Sequence, residues 1–144
     1  MRARIVAYLA AFAGLMAPVA FAAPATVHDA WLRALPGGLP ASGYFTLHNT
    51  GGRTLVLRGA TSPACGMLML HRSNTEGGMA RMQDLPQVAV APGASVRFAP
   101  GGYHLMCSDP AAALKPGARI GVTLEFAGGG KLDAVFAVRG AAGR

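Results

Sequence analysis

A glycine or proline falls about once every five residues in this chain, with 20 Gly and 10 Pro among 144 positions. Within a helix each would cost about 1 kcal/mol (Gly) or 3 kcal/mol (Pro) relative to Ala. Long helices are therefore not expected, and short strands between turns are. Between the breaks, apolar residues alternate with a period of two. Residues 43–48 put Phe45 and Leu47 on one face and Tyr44 and Thr46 on the other. Ile120, Val122, Leu124 and Phe126 alternate before Gly128-Gly129-Gly130, and Leu132, Ala134, Phe136 and Val138 alternate after it. That pattern predicts a terminal hairpin with each inner face buried. Further strands are expected over 31–34, 54–60, 65–71, 79–83, 95–98 and 103–106, with a polar loop at 73–78. Asp109 as N-cap and Pro110 behind it predict one helical turn over 109–114. About eight or nine strands at regular spacing indicate an all-β sandwich or small barrel in a single domain.

The N-terminus reads differently. Arg2 and Arg4 precede an uncharged apolar run over 5–21, which ends in Ala20-Phe21-Ala22. A basic start, an apolar run and an A-x-A pattern predict a secretory signal peptide over 1–22 and a domain over 23–144, exported to the periplasm. No later stretch approaches the ~18 apolar residues that span a bilayer, so the processed chain is not expected to cross one. Ala23-Pro24-Ala25 is a second, weaker A-x-A pattern. Cleavage there would leave Thr26-Val27-His28 as a square-planar nitrogen set suited to Cu(II).

The formal net charge is +7, and the 13 basic residues are dispersed without an aromatic cluster. A nucleic-acid surface should be denser, so none is expected. The six carboxylates (Asp29, Glu76, Asp84, Asp109, Glu125, Asp133) stand apart, which gives paired-carboxylate chemistry little to work with. No Ser–His–Asp arrangement or phosphate-binding glycine loop is recognisable, and an enzyme is not expected.

Sulfur and imidazole are distributed more tellingly. Met67, Met69, Met79, Met82 and Met106, with His71 and His104, all lie between residues 67 and 106. His28 and His48 lie outside this span. Thioether and imidazole are the donors that soft Cu(I) prefers, and neither must lose a proton from a charged form to bind. Zinc would ask for thiolates or carboxylates, which are scarce here. His104 and Met106 fall on one face of a strand, with Leu105 turned into the core. Met67, Met69 and His71 share a face of another strand, opposite Leu68 and Leu70.

The spacing of these residues resembles a known family. His71 is followed after ten residues by Met82, after 21 more by His104, and then by Leu105 and Met106. This is the His-x10-Met-x21-His-x-Met motif of the periplasmic copper chaperones called PCuAC. Ala30-Trp31-Leu32-Arg33-Ala34, Asn49-Thr50-Gly51 and residues 100–106 are also similar to the family, so the resemblance covers roughly residues 28–138. It implies a cupredoxin-like Greek-key β-sandwich or barrel. It also implies one exposed Cu(I) held by His71, Met82, His104 and Met106. The implied role is delivery of copper for cytochrome c oxidase assembly, by ligand exchange with the oxidase copper-centre subunit or a thiol copper chaperone. Met67 and Met69 have no place in the motif and are read as packing residues; for Met79 the sequence leaves open whether it is a spare ligand for transfer or has no part in the site. Trp31 and Tyr103 are read as core aromatics, Tyr103 with a role at the site rim. The sequence ends Arg139-Gly-Ala-Ala-Gly-Arg144, so the copper-binding tail of some relatives is not expected.

Two rival classes remain. A sandwich interaction module would carry these methionines incidentally. A blue-copper electron carrier would need a Cys thiolate beside two His, but Cys107 follows Met106 and so points to the other face of a regular strand. An even cysteine count in an exported chain predicts a Cys65–Cys107 disulfide. The alternative is a free thiol beside the copper.

Overall fold

The computed structural model describes residues 21–144, and residues 1–20 of the expected signal peptide lie outside the described residues. Ten strands follow one another: β1 (Ala25–Arg33), β2 (Ala41–Asn49), β3 (Leu55–Thr61), β4 (Cys65–Glu76), β5 (Met79–Asp84), β6 (Val88–Val90), β7 (Ser95–Phe98), β8 (Tyr103–Pro110), β9 (Arg119–Phe126) and β10 (Lys131–Arg139). Among the described residues the only helical element is a 3-10 turn at Pro36–Gly38. The strands pair in the order β5-β4-β8-β7-β2-β1-β10-β9-β3-β6. Ala60 of β3 also pairs with Leu68 of β4, which closes the inner eight into a barrel and leaves β5 and β6 as outer additions. Pairing is antiparallel except for β1 with β10 and β7 with β8.

The inward positions follow the period-two pattern. Ile120, Val122, Leu124 and Phe126 of β9 and Phe136 and Val138 of β10 are buried. Phe45 stacks on Phe98 with centroids 4.3 Å apart and meets the edge of Phe136. Leu68, Leu70, Leu105 and Cys107 also face inward and are buried. A disulfide joins Cys65 to Cys107 with Cα atoms 5.4 Å apart, fastening the start of β4 to β8.

Asn49, at the end of β2, is fully buried. Its Nδ2 donates to the carbonyls of Arg53 and Val90, and its Oδ1 accepts from the Gly51 amide. The buried amide thus satisfies three backbone groups, the Val90 carbonyl through a fully buried bond. Gly51 has no alternative there, since a Cβ would lie 2.9 Å from the Pro24 ring.

Four expectations need correction. The polar segment 73–78 is not a loop. β4 runs on to Glu76 and turns at Gly77 and Gly78, both at positive φ, into β5. This hairpin projects from the barrel, and with little of it buried no apolar alternation marks its strands. Residues 109–114 form no helical turn, because β8 continues to Pro110 and Asp109 takes a φ of 48°. β6 was not foreseen, since three residues are too few to show a period. Trp31 is not in the core. It sits half-buried on the outer face against Tyr44, 4.8 Å between centroids, while Leu32 beside it points inward.

Candidate metal centre

Register decides which side chains meet. On adjacent antiparallel strands, residues directly opposite share a face, and their Cβ atoms lie about 4.5–5.5 Å apart. His71 of β4 is opposite His104 of β8 on one side and Asp84 of β5 on the other. Two residues back along β4, Met69 is opposite Met106. Two residues on, Ser73 is opposite Met82 of β5. The outer face of β5-β4-β8 therefore carries His71, His104, Met106, Met69, Asp84 and Met82. The inward face of β4 and β8 carries the core leucines.

The two imidazoles form the centre of this patch. Their centroids are 5.6 Å apart and the rings meet edge to face. Both residues are buried, His71 at 8% and His104 at 3% exposure. His104 Nδ1 donates to the Gly102 carbonyl at 3.1 Å. That bond fixes the tautomer and leaves the Nε2 lone pair free. Nε2 is buried and has no hydrogen-bond partner, and neither has either ring nitrogen of His71. Asp84 Oδ1 lies 2.8 Å from His71 Nε2 but off the line of a hydrogen bond, so its contribution is charge rather than a directed bond. Burial lowers the pKa of His104 below its ordinary 6.5; the Gly102 hydrogen bond opposes this and the neighbouring His71 adds to it. At neutral pH the ring is a neutral donor.

Three of the five buried side-chain atoms without partners among the described residues belong to these two histidines. Leaving a buried polar atom unpaired costs about 1–3 kcal/mol, so the arrangement is unfavourable until something accepts the lone pairs. Among the described residues no three His, Cys, Asp or Glu side chains converge on a position fit for a metal ion. The other donors on this face are the thioethers of Met69, Met106 and Met82. Two imidazoles, nearby thioethers and a single exposed carboxylate suit a soft monovalent ion.

The four residues of the motif are not equivalent in place. His71 and His104 face each other, and Met106 sits half-buried diagonal to His71. Met82 is 62% exposed on the outer strand, diagonal to His71 and separated from His104 by the width of β4. Met79 and Met67 are exposed as well. Tyr44, 6.5 Å from His104, flanks the site, and Arg33 lies over both Tyr44 and Trp31. Sequence reasoning missed Asp84 and this aromatic wall. Asp84 was detectable in principle, since it lies two residues beyond Met82 and so shares its face.

The LpqE-like family model, described as "Putative lipoprotein LpqE-like", matches residues 25–138. "Putative lipoprotein Lxx21020" of Leifsonia xyli subsp. xyli is 36% identical over 104 residues, 72% of this chain. The match spans 62% of that relative's length. The Cu(I) form of DR1885 from Deinococcus radiodurans superposes with a TM-score of 0.63 at 27% identity, covering 88% of this chain and 83% of that one. The copper-bound PCuAC domain of PmoF2 shares the fold with a TM-score of 0.68 at 24% identity, covering 83% and 95%.

Proposed function

Because the chain belongs to the LpqE-like family and has the PCuAC fold, we propose that it is an exported copper chaperone. In this reading it holds one Cu(I) on His71, Met82, His104 and Met106 and passes it on for assembly of the cytochrome c oxidase copper centre. The observation that carries the reading is the facing His71–His104 pair, three of whose four ring nitrogens are buried without a hydrogen-bond partner, with thioethers on the same face. Copper here is cargo. The copper-bound states of the PmoF2 domain and of DR1885 support that choice of metal.

The residues divide the work. His104, locked by Gly102, presents Nε2 in one orientation. His71 stands opposite, with the Asp84 carboxylate beside it to favour a bound cation. Met106 closes the half-buried side, and Met82 supplies a thioether from the exposed hairpin. Thioethers are neutral and bind Cu(I) without the hold of a thiolate, so a receiver bearing thiols displaces them by stepwise exchange. A thiol copper chaperone or the oxidase copper-centre subunit has the right chemistry. Export to the periplasm is supported by the lipoprotein descriptions of the relatives and by the disulfide, which forms in oxidising compartments.

An electron-carrier reading loses its essential ligand, because Cys107 is bonded to Cys65 and faces the core. An interaction module leaves the orphaned imidazole nitrogens without a purpose. Titration with Cu(I) against a colorimetric chelator tests the proposal. Wild type should take one equivalent, and a His104→Ala, Met106→Ala double variant should lose the site. Equal binding by both would contradict the assignment.

A further inference from the structure

Met69 has no part in the motif, yet its position is as close to the imidazoles as that of any motif methionine. It lies directly opposite Met106, on the same face as His71, two residues along β4 from it, and diagonal to His104. Diagonal neighbours on paired strands are about 7–8 Å apart at Cα, within reach of long side chains. Met69 is half-buried, whereas Met82 is 62% exposed. Met82 borders His71 alone and stands across the full width of β4 from β8. The outer face thus holds two thioethers, Met69 and Met106, side by side against the imidazole pair, and a third, Met82, on an exposed arm beyond it.

We infer that Met69 is a copper ligand of this chain that exchanges with Met82. The inference rests on the Cu(I) reading above and deepens it. With Met82 bound, the ion has His71, His104, Met106 and Met82. When the exposed hairpin turns Met82 outward, the Met69 thioether takes the vacated position and the ion keeps two imidazoles and two thioethers. Copper remains monovalent, one Cu–S contact replaces another, and no proton moves. The flexible, unbranched methionine side chain permits this without backbone change. The consequence is a hand-off in which the arm that meets the receiver is not the only thing holding the cargo.

The test uses Met→Leu substitutions, which preserve volume and apolar character and so keep the fold. Cu(I) affinity is measured by chelator competition, and the number of sulfur neighbours by X-ray absorption, for wild type, Met69→Leu, Met82→Leu, the double variant and Met67→Leu. Met67 is the control, on the same strand and face but two residues farther from His71. Either of the first two single variants should weaken binding by about tenfold or less and retain two sulfurs. The double variant should lose about a hundredfold beyond the sum of the two and retain one sulfur, since substitutions at coupled ligands do not add. Met67→Leu should behave as wild type. A double variant no weaker than Met82→Leu, or a Met82→Leu protein with a single sulfur neighbour, would overturn the inference and leave the Cu(I) reading intact. A wild type that binds no Cu(I) would overturn both.

Discussion

Burial is the main cause of the lowered pKa of His104, and the direction of that shift fixes a pH dependence. Above pH 6.5 neither the folded nor the unfolded chain holds this proton, and the group leaves stability unchanged. As pH falls below 6.5 the unfolded chain takes up the proton first, so stability declines until the lower folded pKa is reached and is flat beyond it. The denaturant midpoint of the copper-free protein should therefore fall between pH 7.5 and 5.5, and fall less in a His104→Gln variant. An identical pH dependence in both would remove His104 as the cause. Asp84 acts on the same pair from an exposed position, its side chain 87% accessible. Solvent screening limits such a charge. Asp84→Asn should weaken Cu(I) binding by only about threefold, as read by chelator competition; a loss of a hundredfold or more would make Asp84 a ligand.

At the scale of the elements, two fastenings hold the site-bearing strands and their neighbours. Asn49 serves the turn after β2 and the segment ending at Val90 through three hydrogen bonds. Asn49→Ala leaves the Val90 carbonyl without its buried partner, and should cost about 1–3 kcal/mol in equilibrium unfolding with an unchanged denaturant slope. A cost under 1 kcal/mol would mean that water replaces the amide. The Cys65–Cys107 disulfide closes a separation of 42 residues. In the loop-entropy model it contributes about 4 kcal/mol, so reduction should lower the unfolding midpoint well before it affects copper binding. What was legible in the sequence follows the same division. β9 and β10 announce themselves because each buries one face and exposes the other over a full strand. The far half of β4, over 73–76, does not, because little of it is buried, although strands were expected over 65–71 and 79–83. The spacing of His71, Met82, His104 and Met106 carried the resemblance to the PCuAC motif, and that resemblance implied that these four hold copper. Which other side chains join them depends on register. One residue of slip would turn every donor on a strand to the opposite face, and no single-strand pattern specifies how β4 aligns with β5 and β8. Asp84 beside His71, and Met69 opposite Met106, are products of that alignment.

Across the whole molecule, the closed barrel places the patch of imidazoles and thioethers on β5, β4 and β8, while the first described residues pack on another side. Ala22 bridges to Lys131, Ala23 is buried, and the Thr50 amide donates to the Pro24 carbonyl. Cleavage after Ala25 would discard all three contacts, whereas cleavage after Ala22 keeps Ala23 and Pro24 in the fold. Intact mass of protein recovered from the periplasm should correspond to a chain starting at Ala23. A start at Thr26 would show these contacts to be dispensable and would revive Cu(II) capture by Thr26-Val27-His28. The central claim concerns what the barrel holds at the other site, and X-ray absorption at the copper edge of the Cu(I)-loaded wild-type protein addresses it most directly. Two imidazole nitrogens and two sulfurs at thioether distance are the predicted shell. A shell of nitrogen and oxygen alone, or sulfur at thiolate distance, would contradict it.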